Sequence, residues 1–151
     1  MNLAIEKDTI LKRVNGVQNE LSELKKLANL SFEAFSTGDG HKLTEYHLHR
    51  ALEGVFNISA HILSRISGAQ ATQYAEIAIK LGEFGIVDKD FAENTLVKMA
   101  KYRNRLVHFY AEIKNDELYD IVKNHLEDFD TFLSAIKKVL ENPEKFGLDA
   151  E

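Results

Sequence analysis

Apolar residues recur along the chain at helical steps of three and four, and no segment alternates as a strand does. Ile10, Val14, Val17, Leu21, Leu24 and Ala28 form one such stripe, with Lys7, Lys12, Glu20, Glu23 and Lys25 off it. This predicts a long amphipathic helix over roughly residues 3–30. Ser36-Thr37-Gly38-Asp39-Gly40 reads as a loop. A second helix is expected over about residues 42–66, where Leu48, Leu52, Val55, Ser59, Ile62 and Ile66 share a stripe. Ala51, Phe56 and Ile58 widen that stripe enough to require burial on more than one side. Ser67-Gly68 closes it, and a short helix over about 72–81 stops at Gly82.

Asp88 is placed to cap a fourth helix running to about residue 113. The last helix starts at Asn115-Asp116, carries Leu118, Val122, Phe129, Phe132, Leu133, Ile136 and Leu140 on its apolar face, and ends at Asn142-Pro143. The expected fold is all-α. Four long helices and an extra short one form an up-and-down four-helix bundle, because the connections are short.

Composition narrows the function. The 151 residues suit a single domain spanning 1–151. With no cysteine there is neither disulfide nor thiol chemistry, which is compatible with a cytoplasmic protein. No leader pattern and no apolar run near 18 residues is present, so neither a signal peptide nor a membrane span is expected. A net charge of −5 argues against a broad basic face for nucleic acid and leaves room only for a local basic cleft.

The chemistry concentrates in residues 101–110, Lys-Tyr-Arg-Asn-Arg-Leu-Val-His-Phe-Tyr. Leu96, Met99, Ala100, Leu106, Val107 and Tyr110 continue the helical stripe, and Arg103 falls in its middle. A cation there needs a carboxylate, a wet cleft or an anionic ligand. On a regular helix Tyr110 lies within about 20° of Arg103, two turns on, whereas His108 is about 140° around and about 7.5 Å further along. Arg103 and His108 therefore do not converge on one helix, and a second surface must close any site they share.

Arg103 either pairs with a carboxylate from another helix or holds a phosphate and stabilises developing negative charge. His108 is either an ordinary helix-end residue or a proton carrier near neutral pH. Asn104, four residues before it, is placed to orient the imidazole or touch a ligand. Arginine with histidine and no metal-ligand spacing fits metal-independent RNA cleavage, and it fits nucleotide binding equally. His41, His47, His49, His61 and His125 lack metal-pair spacing and are expected at the surface or in satisfied packing. Phe56, Phe91, Phe129 and Phe132 read as core, while Phe32, Phe35 and Phe84 sit at connector edges.

The segment Arg103-Asn104-Arg105-Leu106-Val107-His108-Phe109-Tyr110 resembles the Arg-x4-His-x-Tyr signature of HepT-like toxins in the HEPN superfamily, including the polar residue after the arginine. Glu45-Tyr46-His47 through Ala51-Leu52 to Ile58-Ser59-Ala60-His61 looks like that family's second helix. Leu81-Gly82-Glu83-Phe84-Gly85-Ile86, followed by Val97-Lys98-Met99, looks like its approach to the motif. The likeness covers about residues 5–140.

It implies a homodimeric bundle whose two motifs face a shared cleft, with Lys101, Arg103 and Arg105 doubled by the twofold axis. It further implies a metal-independent endoribonuclease with no cofactor. Arg103, His108 and Asn104 would be catalytic, and Arg105 and Lys101 would bind RNA phosphate. The implied partner is a minimal nucleotidyltransferase antitoxin that attaches AMP to Tyr110. The alternative is a non-catalytic nucleotide-binding or scaffolding partner of such a nucleotidyltransferase.

Overall fold

A computed structural model of the protein describes residues 4–108 and 112–149. It is all-helical: α1 (Lys7–Leu27), α2 (Phe32–Thr37), α3 (Gly40–Ser64), α4 (Tyr74–Glu83), a π-helical turn (Phe91–Leu96) that runs directly into α5 (Val97–Val107), then α6 (Asn115–Asn124), α7 (Glu127–Glu141) and a 3-10 turn (Pro143–Phe146). Among the described residues the one sheet-like feature is a single parallel bridge between Ala4 and Asp149. No helix there is long and apolar enough to cross a membrane.

The centre of the fold is α3, which packs against α1, α2, α4, α5 and α6. Leu48, Ala51, Leu52, Val55, Phe56, Ile58, Ser59 and Ile62 are all buried on it, as its wide stripe requires. Ser59 enters this core by donating its hydroxyl to the Val55 carbonyl one turn back at 2.8 Å. The α1 stripe buries Ile10, Val17, Leu21 and Leu24 against it.

Four expectations change. Residues 36–40 are not one loop, since α2 runs to Thr37 and α3 begins at Gly40. The Ser31 hydroxyl caps α2 by accepting from the Ala34 N–H at 3.1 Å, and Phe35 is wholly buried with its ring edge-on to Tyr119. Gly40 permits this corner, because a Cβ there would stand 2.7 to 2.9 Å from Phe35 atoms. The short helix expected over 72–81 shifts too: α4 starts at Tyr74 and continues through Gly82 to Glu83, and Gly85 makes the left-handed turn.

The helix expected to reach residue 113 ends at Val107, and His108 takes extended backbone angles (φ −106°, ψ 112°). The last helix is two, α6 and α7, broken at His125-Leu126. In an unbroken helix His125 would follow Leu118 and Val122 onto the apolar stripe. The break instead buries Leu126 and leaves the His125 side chain 52% exposed between Asp120 and Asp128.

Candidate active site

The stripe of α5 buries Met99 and Ala100, with Leu96 buried just ahead of it, and delivers Arg103 to the surface it shares with α3 and α4. The charge is compensated there. Arg103 Nε donates to Glu53 Oε1 of α3 at 2.5 Å, and its guanidinium carbon lies 4.0 Å from the centre of the Tyr74 ring at the start of α4. A cation over an aromatic face and beside a carboxylate is the solution that half-burial of an arginine demands. Asn104 Oδ1 stands 3.4 Å from a terminal nitrogen of the same guanidinium. The asparagine thus meets Arg103 itself.

Arg105 faces elsewhere. Its terminal nitrogens grip Glu117 of α6 at 2.6 and 3.1 Å, and one of them also donates to the Glu112 carbonyl at 3.0 Å. Tyr102 donates its hydroxyl to the same Glu117 at 2.6 Å. The hydrogen bond from Arg105 holds the Glu117 carboxyl below its ordinary range. Burial, reinforced by the bond to Glu117, pushes the Tyr102 phenol up to about 12. Past the end of α5, Arg105 reaches the Glu112 carbonyl and Ile113 is buried.

Lys101 is exposed on α5. His108 is exposed just past the helix end, its backbone N–H donating to the Arg105 carbonyl at 3.3 Å. The helical angle expected between Arg103 and His108 therefore does not apply, because His108 is off the helix. Tyr110 lies outside the described residues.

The other histidines have local partners: His41 with Asn115, His47 with Glu20, His49 with Glu53, His125 with Asp120. His61 accepts the Glu6 N–H through Nε2 at 3.2 Å, and burial lowers its pKa. No cluster of metal-ligating side chains occurs among the described residues. A cleft of about 420 Å³ opens over Leu48, Leu52, Met99 and Phe129, where Tyr102 lines it and Arg103 does not. A shallower groove of about 340 Å³ between α1 and α3 has Glu53, Arg50 and Arg13 on its walls. Glu53 and Tyr74 are the site residues that sequence reasoning missed. The signal for them was indirect: a cation on an apolar stripe needs a partner, but nothing local says which.

A protein-family model described as Ribonuclease HepT-like matches residues 17–136, most of the chain. The chain belongs to the ribonuclease HepT-like family. Its standing as a ribonuclease rests on that membership. It is 26% identical over 137 residues to the tRNA nuclease HepT of Aphanizomenon flos-aquae, covering 90% of this chain and 92% of that protein. It is 30% identical over 91 residues to the mRNA nuclease HepT of Shewanella oneidensis, covering 60% of this chain and 68% of that one.

Among solved structures, the fold is similar to the tri-AMPylated HEPN toxin of Shewanella oneidensis in complex with MNT antitoxin. There the TM-score is 0.77 at 23% identity, over 87% of this chain and 98% of that one. A toxin–antitoxin crystal structure with AMP-PNP gives a TM-score of 0.76 at 22% identity, over the same shares of each chain. At these identities the structures show the HepT-like fold and nothing finer.

Proposed function

We propose that this protein is the toxin of a toxin–antitoxin pair and cleaves RNA without a metal, at a cleft closed by a second copy of the chain. The observation that carries this is the state of Arg103. It is fixed by Glu53 and Tyr74 through Nε and one ring face, so its terminal nitrogens remain the edge offered to a phosphate.

In the proposed step the ribose 2′-hydroxyl attacks the adjacent phosphorus and the 5′-oxygen leaves, giving a 2′,3′-cyclic phosphate and a 5′-hydroxyl. His108 takes the proton from the 2′-hydroxyl or returns one to the leaving oxygen. Arg103 stabilises the negative charge on the phosphorane-like transition state, and Asn104 steadies the guanidinium from beside it. Lys101 is free in position to follow the RNA backbone. Arg105 is the weaker phosphate candidate, since Glu117 already takes both its terminal nitrogens. The up-and-down bundle and the homodimer belong to this reading, as does a cytoplasmic site of action.

The partner is a minimal nucleotidyltransferase antitoxin, and its target is Tyr110. Support comes from the AMPylated toxin with its MNT antitoxin among the similar folds. A bulky anionic group placed near the motif would compete with RNA phosphate for Arg103.

The second reading, a non-catalytic nucleotide-binding or scaffolding partner of that nucleotidyltransferase, is favoured by one observation. Glu53 already balances the charge of Arg103, as in a plain structural ion pair.

An RNA cleavage assay in EDTA separates the two. Under the proposal the unmodified protein cuts RNA, and His108→Ala loses about 100-fold or more while keeping its helical circular dichroism. Full activity in that variant removes His108 from the chemistry. Absence of cleavage by the unmodified wild type leaves the binding partner.

A further inference from the structure

Glu53 stands at an unusual crossing. It belongs to the central helix α3, not to the motif, and its Oε1 is shared between Arg103 Nε at 2.5 Å and His49 Nε2 at 3.5 Å. A guanidinium offers five N–H groups in a flat fork and has two faces. Here the Nε–H is committed to Glu53 and one face to Tyr74. A terminal nitrogen makes only a long contact, 3.4 Å, with Asn104. Among the described residues Glu53 is the one carboxylate within ion-pair reach of Arg103. A side-on grip of this kind leaves the end-on edge, which is the edge a phosphate takes in a bidentate pair.

We infer that Glu53 is a positioning residue for the ribonuclease reaction: it orients Arg103 so that the guanidinium meets the phosphate edge-on. The inference rests on the ribonuclease reading above. The orientation has a cost in charge. A carboxylate beside the guanidinium weakens its attraction for an RNA phosphate in the ground state. In return the loss of side-chain freedom falls on folding and not on the catalytic step. These two effects act in opposite directions on KM and kcat, and that opposition is the signature a purely structural ion pair lacks.

The test is steady-state cleavage of a short RNA by wild type, Glu53→Ala and Glu53→Gln, with melting temperatures recorded for all three. Glu53→Ala is expected to lower kcat by about tenfold or more with KM unchanged or lower. Glu53→Gln keeps an acceptor for Nε–H and is expected to recover part of kcat. A kcat in Glu53→Ala within about threefold of wild type, or above it, overturns the inference. So does a fall in kcat accompanied by a raised KM.

A second measurement needs no cleavage: hydrogen exchange at the Arg103 Nε–H by NMR. It is expected to be slow in wild type and fast in Glu53→Ala. Equal exchange in the two overturns the inference even if RNA is cut normally. A wild type that cuts nothing fails the ribonuclease reading alone, and the exchange measurement then still decides whether Glu53 holds Arg103.

Discussion

Arg103 and Arg105 are two residues apart on one helix, yet they are built for different work. Arg105 spends its terminal nitrogens on Glu117 and the Glu112 carbonyl, and Tyr102 donates to the same Glu117. That fork-on-carboxylate arrangement joins α5 to α6. Arg103 commits its Nε and one guanidinium face to α3 and α4 and keeps its terminal edge. Motif spacing cannot distinguish a staple from a reagent; the direction of the bound edge does.

Conservative substitution should separate the two most sharply. Arg103→Lys is expected to lower kcat/KM by about 100-fold or more, because a point charge cannot reproduce a flat bidentate edge. Arg105→Lys should leave cleavage within about threefold of wild type. Equal losses in the two would erase the contrast.

Gly54→Ala probes the Arg103 side through its scaffold. A Cβ at Gly54 would land on Val17 Cγ2, where α1 and α3 cross, next to Glu53. Overpacking there should destabilise the protein by about 1–3 kcal/mol. A melting temperature unchanged from wild type would show that α1 yields at no cost.

A double-mutant cycle on Arg105 and Glu117 should give a coupling of about 0.5–1 kcal/mol, since both side chains are about a third exposed. A coupling near zero would make the pair ornamental.

The smallest expected effect is in pH dependence, and it belongs to the Arg105 side. The Tyr102 phenol is raised on folding, so its contribution is complete below pH 10 and is lost as pH rises towards about 12. Glu117 is lowered, so its contribution is present above about pH 4.5 and fades as pH falls below that. Tyr102→Phe should flatten the alkaline loss measured by chemical denaturation. An unchanged alkaline slope would move the titration to another group.

Much of the fold was legible because periodicity reports burial directly. The α3 stripe predicted from Leu48 to Ile62 is buried residue by residue. Helix ends were not legible, because distant partners set them. Arg105 near the end of α5 is held by Glu112 and Glu117, and Phe35 packs against Tyr119 far along the chain. The break at His125 could have been read from a histidine falling on an apolar stripe.

At the site, Arg103, Asn104 and His108 were legible as residue types in a motif. Glu53 and Tyr74 were not, since an ion pair and a ring contact between helices leave no local spacing to detect.

The π-helical turn Phe91–Leu96 leads directly into the motif helix. Its i→i+5 bonding accommodates one residue more than an α-helical turn over the same stretch. The extra residue is absorbed there without breaking the rod. Removing one residue from 91–96 should restore a plain α-helical turn and leave Arg103 facing α3 and α4 as before, whereas removing one from 97–102 should turn Arg103 by about 100° away from them. The bulge thus marks the one stretch of the motif helix where chain length can change without re-aiming the guanidinium.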